Sequence, residues 1–120
     1  MGNENLKRRT KRFALDIIRL VESLPHDRTC NTLGGQLVRA GTSVASNYRA
    51  ACRAKSAADF ISKMGTVEEE ADESGFWLEL LVEAGKLKLP AAETLIRESS
   101  ELTAIAVSSI NTARKSGSRS

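Results

Sequence analysis

The chain has 120 residues, enough for one hydrophobic core and too few for two. Hydrophobic residues make up 41% and charged residues 28%, the balance of a soluble globule rather than of a disordered chain. The net charge of +3 hides a sharp asymmetry, because residues 1–55 carry eleven Lys or Arg against four acids while residues 56–120 carry seven against eleven. The halves are therefore +7 and −4, which fits either complementary helix faces or a basic surface that meets phosphate.

No run of 18 apolar residues exists, since Glu79 and Glu83 break the richest stretch around Phe76-Trp77-Leu78 and Leu80-Leu81-Val82. That excludes a transmembrane helix. The N-terminal MGNENLKRRTKR has no apolar segment of the kind a signal peptide needs, so a cytoplasmic, bacterial-type location is expected. Cys30 and Cys52 are too few for a disulfide framework. On one helix they would stand about 33 Å apart, beyond bridging distance, and are expected as free thiols.

Aromatic residues are only 4%, so the core must come from Leu, Ile, Val and Ala, a mixture that suits helices. A first helix is expected from about Leu6 to Leu24, where Phe13, Ile17, Leu20, Val21 and Leu24 recur at spacings of three and four. Pro25 ends it, and Asn31 or Thr32 is the expected cap of the next. The second helix, about Leu33 to Arg53, has an apolar side of Leu37, Val38, Val44, Ala45, Tyr48, Ala51 and Cys52. Gly34, Gly35 and Gly41 weaken it, and Ser43, Ser46 and Asn47 sit near its centre; close helix packing and side-chain bonds to carbonyls one turn back account for both.

Ser56 followed by Asp59 resembles a capping box with Asp in place of Glu. It opens a third helix with Phe60, Met64, Val67, Ala71, Leu78 and Leu81 on one side and acids on the other. Gly85 is a helix stop, Pro90 a first-turn proline, and a fourth helix follows to about Ala113 on Leu95, Leu102, Ile105, Ala106 and Ile110. Residues 114–120 read as a disordered tail after a single domain over 1–113. Short connections between helices of this length predict an all-α, up-and-down antiparallel four-helix bundle.

Several segments carry a wider likeness: Ser23-Leu24-Pro25, Gln36 to Ala40, Ser43 to Asn47, Arg53 to Ser56, Asp59-Phe60-Ile61, Val67 to Glu73, and Trp77 to Leu81. In order and spacing they resemble the four-helix bundle proteins encoded in intervening sequences of bacterial 23S ribosomal RNA genes, over about Leu6 to Ile110. Members often have a proline at the position of Ala45 and a glutamate near Ala50; this chain has neither. The resemblance implies a compact bundle that assembles as a homo-oligomer, with a pentamer favoured. It also implies kinship with the accessory variability protein of diversity-generating retroelements, a pentameric bundle that works with a reverse transcriptase and nucleic acid. Most members have no assigned biochemical activity.

Catalysis has little to work with. The one histidine, His26, adjoins Pro25 in an expected loop, which leaves no base for a serine or cysteine nucleophile and too few ligands for a Glu-x-x-His di-iron site. Glu69 and Glu73 share a helix face but read as solvated acids or partners for Arg and Lys. Gly34-Gly35 lacks the Lys-Ser/Thr that a phosphate loop requires. No enzyme activity, cofactor or metal is expected. Binding has more support: Lys7, Arg8, Lys11 and Arg12 stack in two pairs one turn apart, and Arg49, Arg53 and Lys55 form a second cluster, so RNA or DNA phosphates are the expected partner. An acidic protein partner for the same surface, in a scaffold or adaptor, is the alternative. Gly65, Gly75, Phe76 and Trp77 are the expected oligomer interface, because mid-helix glycines suit close approach and large aromatics anchor contacts.

Overall fold

A computed structural model describes the backbone of residues 2–119 and the side chains of residues 4–116. Four helices fill that span: α1 (Gly2–Glu22), α2 (Arg28–Ala51), α3 (Ala57–Glu83) and α4 (Leu89–Arg119). No strand occurs among the described residues. α1 packs on α2, α2 on α3 and α3 on α4, while α1 and α4 close the ring through a much lighter contact. Each short turn sends the chain back alongside the helix it has just left, and the product is the expected antiparallel four-helix bundle, 53 × 23 × 20 Å.

The core follows the apolar stripes. Phe13, Ile17 and Leu20 of α1 meet Leu37, Val44 and Tyr48 of α2, Met64, Val67, Leu78 and Leu81 of α3, and Leu95, Leu102 and Ile110 of α4 in one buried cluster. Small residues set how closely the helices approach. A side chain on Gly41 would come within 3.0 Å of Ile17, and one on Gly34 within 3.0 Å of Val21. These two contacts fix α1 and α2 as antiparallel, since the later glycine meets the earlier residue of α1. The polar residues at the centre of α2 use the carbonyls of their own helix. Asn47 donates to the Ser43 carbonyl at 2.9 Å and Thr42 to that of Val38 at 2.7 Å. Of the Ser46-Asn47 pair, Ser46 is exposed and Asn47 half-buried, so neither belongs to the core.

Four boundaries depart from the sequence-based expectation, the first being the start of α1 at Gly2, ahead of Leu6. α2 begins at Arg28, because the cap is Asp27 and not Asn31 or Thr32; its carboxylate accepts the Cys30 N–H at 2.7 Å. α1 ends at Glu22, ahead of Leu24, with Ser23 and Leu24 turning on short bonds to Leu20 and Val21 before Pro25. α4 runs past Ala113 as far as Arg119, so the segment read as a disordered tail is helical over 114–119, while Ser120 lies outside the described residues. No proline stops that extension, and Arg114 and Lys115 sit near the helix C-terminus, where cations favour the helix dipole.

Both ends of α3 match. Ser56 caps α3 by accepting the Asp59 N–H at 3.1 Å, and Asp59 reaches back to the Lys55 N–H at 3.1 Å. At the far end Gly85 takes φ +75°, and Lys86 and Gly85 donate to the Leu81 and Val82 carbonyls, a Schellman closure that a glycine makes without strain.

Candidate functional site

Helix periodicity decides which way each cation of α1 points. Phe13 and Ile17 face the core, so Lys7 and Lys11 fall on the flank toward α2 while Arg8 and Arg12 fall on the flank toward α4. The antiparallel register set at Gly41 and Gly34 then brings the first turns of α1 beside the last turns of α2. Lys7, Lys11, Arg49 and Arg53 thereby line one open groove of about 610 Å³, floored by Ala14, Thr42, Ala45 and Ser46. Two clusters some forty positions apart in sequence become the two banks of one groove.

The chemistry of this groove is one-sided. No carboxylate lines it. Lys7 has an ion pair with Glu4, one turn back along α1, at 3.7 Å. Lys11, Arg49 and Arg53 have no ion-pair partner among the described residues. Four cations on facing banks repel one another at low ionic strength, and an incoming row of phosphates relieves that repulsion.

The expected seven-residue site divides at this point. Arg8 and Arg12 line a different groove, between α1 and α4, where Asp16, Glu98 and Glu101 mix acids with Arg9 and Arg97. Arg12 lies 3.9 Å from Asp16, and Arg9 is held by Glu98 at 2.7 Å and by Glu101 at 2.9 Å. These partners hold the Arg9 guanidinium firmly protonated, first through the Glu98 hydrogen bond. Lys55 occupies the α2–α3 turn at the same end of the bundle as Arg53, outside the groove lining. Sequence reasoning did not single out the floor residues Ala14 and Thr42, and it read Ala45 only as part of the apolar side of α2. Their small size next to Lys11 and Ser46 was visible, but their role depends on the α1–α2 register.

The four residues expected at an oligomer interface also separate. Gly75 is buried inside the chain, and a Cβ there would lie 2.6 Å from the Ser99 hydroxyl of α4. Its close approach therefore serves α3–α4 packing. A Cβ on Gly65 would meet nothing within 4 Å. Trp77 packs against the core and donates from Nε1 to Glu73 at 3.1 Å, whereas Phe76 is 52% exposed and meets the Trp77 ring edge-on at 5.1 Å. Phe76 borders the α3–α4 groove with Asp72, Glu79, Ile96 and Thr103, on the side of the bundle opposite the basic groove.

His26 is exposed and both thiols are free, Cys30 buried and Cys52 half-buried. Burial pushes the Cys30 thiol up, and burial together with a Cys52 hydrogen bond pushes the Tyr48 phenol far up, so both stay protonated at neutral pH. Glu73, with Glu70, pairs with Arg39 of α2. Among the described residues no group of three His, Cys, Asp or Glu is placed to hold a metal ion, and no helix is long and apolar enough to cross a membrane.

The 23S rRNA-intervening sequence protein model matches residues 4–108, nearly the whole bundle. The chain belongs to that family. Among solved structures it is similar to a protein of unknown function from the S23 ribosomal protein family of Bacteroides thetaiotaomicron, at 32% identity over 92% of this chain and 99% of that one, with a TM-score of 0.85. No curated protein matches it. The family's description and that neighbour name no catalytic activity.

Proposed function

We propose that this family member is a non-enzymatic, self-associating nucleic-acid-binding bundle that holds RNA or DNA through backbone phosphates. The observation that carries this is the α1–α2 groove, where Lys7, Lys11, Arg49 and Arg53 converge without a lining carboxylate. Arg8, Arg12 and Lys55 assist from adjoining surfaces, with Arg12 partly neutralised by Asp16. Phosphate contact releases counterions, so log affinity falls linearly with log salt. A salt titration against a structured RNA tests this. The combined variant Lys7→Gln, Lys11→Gln, Arg49→Gln and Arg53→Gln is expected to abolish most of the slope while leaving helicity intact, because Lys7, Lys11, Arg49 and Arg53 are exposed. Absence of wild-type binding at about 50 mM salt, where screening is weak, overturns the proposal and leaves a protein-binding scaffold.

Self-association rests on a separate observation, the half-exposed Phe76 beside the α3–α4 groove. Asp72 and Glu79 lie around it on the α3–α4 side, away from the basic α1–α2 groove, so a subunit contact made there leaves that groove open to phosphate. Light scattering is expected to give several times the monomer mass, five being the number the family resemblance implies. Phe76→Ser is expected to lower that mass; a monomer in the wild type at tens of micromolar ends this part of the proposal.

A further inference from the structure

We infer that the α1–α2 groove takes double-helical nucleic acid in preference to single strands, an inference that rests on the phosphate-binding proposal above. Single strands gain from aromatic side chains on which their unpaired bases stack. This groove has none: its lining is four cations, two alanines, a threonine and a serine. Tyr48, one position from Arg49, is 4% exposed with its ring in the core. Phe76 and Trp77 belong to α3, and the exposed one of the two borders the opposite groove.

Nor does the floor read base edges. The Thr42 hydroxyl donates to the Val38 carbonyl at 2.7 Å and the Ser46 hydroxyl lies 3.4 Å from the Ser43 carbonyl, so both donors are turned into their own helix. What remains is a fixed pattern of charge. Lys7 and Lys11 stand one turn apart, a rise of about 6 Å, and so do Arg49 and Arg53. The axes of packed helices lie about 8–10 Å apart, so the two pairs stand on separate banks. A duplex offers a stiff backbone ridge to such a frame and keeps its own stacking. A single strand has to be ordered to match it and receives no stacking in return.

Counterion release adds a quantitative difference. Each phosphate contact contributes about −0.9 to the salt slope on a duplex and about −0.7 on a single strand. For four contacts the slopes are about −3.6 and about −2.8, and with equal affinities at about 1 M salt as the reference the gap makes the duplex roughly sixfold tighter at about 0.1 M salt.

Fluorescence anisotropy with a labelled DNA hairpin duplex and an unstructured oligothymidine of equal phosphate number tests this on the full chain. The expected result is the steeper slope and roughly sixfold preference for the duplex. The variant Lys7→Gln with Lys11→Gln is expected to halve the duplex slope to about −1.8 and shrink the preference to about 2.5-fold. Equal binding, or tighter binding of the single strand, overturns the duplex inference while the phosphate proposal stands. A preference unchanged in the double variant overturns it too, since the groove is then not its source. No binding of either oligonucleotide at about 50 mM salt overturns both.

Discussion

A single methyl group separates two glycines that look alike in sequence. Gly75 and Gly65 both interrupt α3, yet only Gly75 lies under another helix, with the Ser99 hydroxyl 2.6 Å from where its Cβ would stand. That hydroxyl is buried and bonds the Ile96 carbonyl at 2.7 Å, so it cannot swing aside freely. Gly75→Ala is expected to lose about 1 kcal/mol net, an overpacking cost of about 1–3 kcal/mol offset by about 1 kcal/mol of helix propensity. Adding Ser99→Ala removes the obstructing atom, so the double variant is expected to recover wild-type stability or exceed it. Urea denaturation of the four proteins measures this; additive losses would show that the two positions are not in contact. Gly65→Ala meets nothing and is expected to stabilise the isolated chain by up to about 1 kcal/mol.

The helices themselves were largely legible, because Phe13, Ile17 and Leu20 in α1 or Met64, Val67, Ala71, Leu78 and Leu81 in α3 announce a buried face by spacing alone. The start of α2 was harder. Between Arg28 and Leu33 only Cys30 is apolar, so periodicity falls silent there and the cap three residues earlier goes unnoticed. The basic groove was half legible: its cations stood out, but pairing Lys7 and Lys11 with Arg49 and Arg53, and sending Arg8 and Arg12 elsewhere, required the α1–α2 register. The caps bring a pH dependence. The Cys30 N–H, followed by Lys86, holds Asp27 below the usual aspartate range, and Lys63 with the Lys55 N–H does the same for Asp59. Both carboxylates bind protons less readily folded than unfolded, so their stabilisation is complete above about pH 4 and disappears as pH falls through their lowered values. Thermal unfolding between pH 7 and pH 2 is expected to show this loss. Asp27→Asn, which still caps, is expected to lower stability at pH 7 and to flatten the acid limb.

At the scale of the molecule the ring of helices is uneven, with α1 well packed on α2 and only lightly on α4. Beside the shared core, one polar side chain ties α1 to α4: Arg9 places Nε and Nη2 on the two Glu98 oxygens at 2.7 and 2.8 Å and bonds Glu101 at 2.9 Å. A forked pair of this geometry stabilises more than an ordinary surface ion pair, and its partial exposure keeps the loss on removal near about 1 kcal/mol. Arg9→Gln is therefore expected to open the α1–α4 seam before any other, which hydrogen exchange would report as faster exchange in α1 and the facing part of α4, with α3 unchanged. The α1–α2 contact at Ile17 and Gly41 does not depend on Arg9. Lys7 and Lys11 should consequently stay opposite Arg49 and Arg53, and the salt slope for a duplex should match the wild type. A slope that fell along with the seam would mean that the groove is held in shape by the whole ring and not by the α1–α2 hairpin.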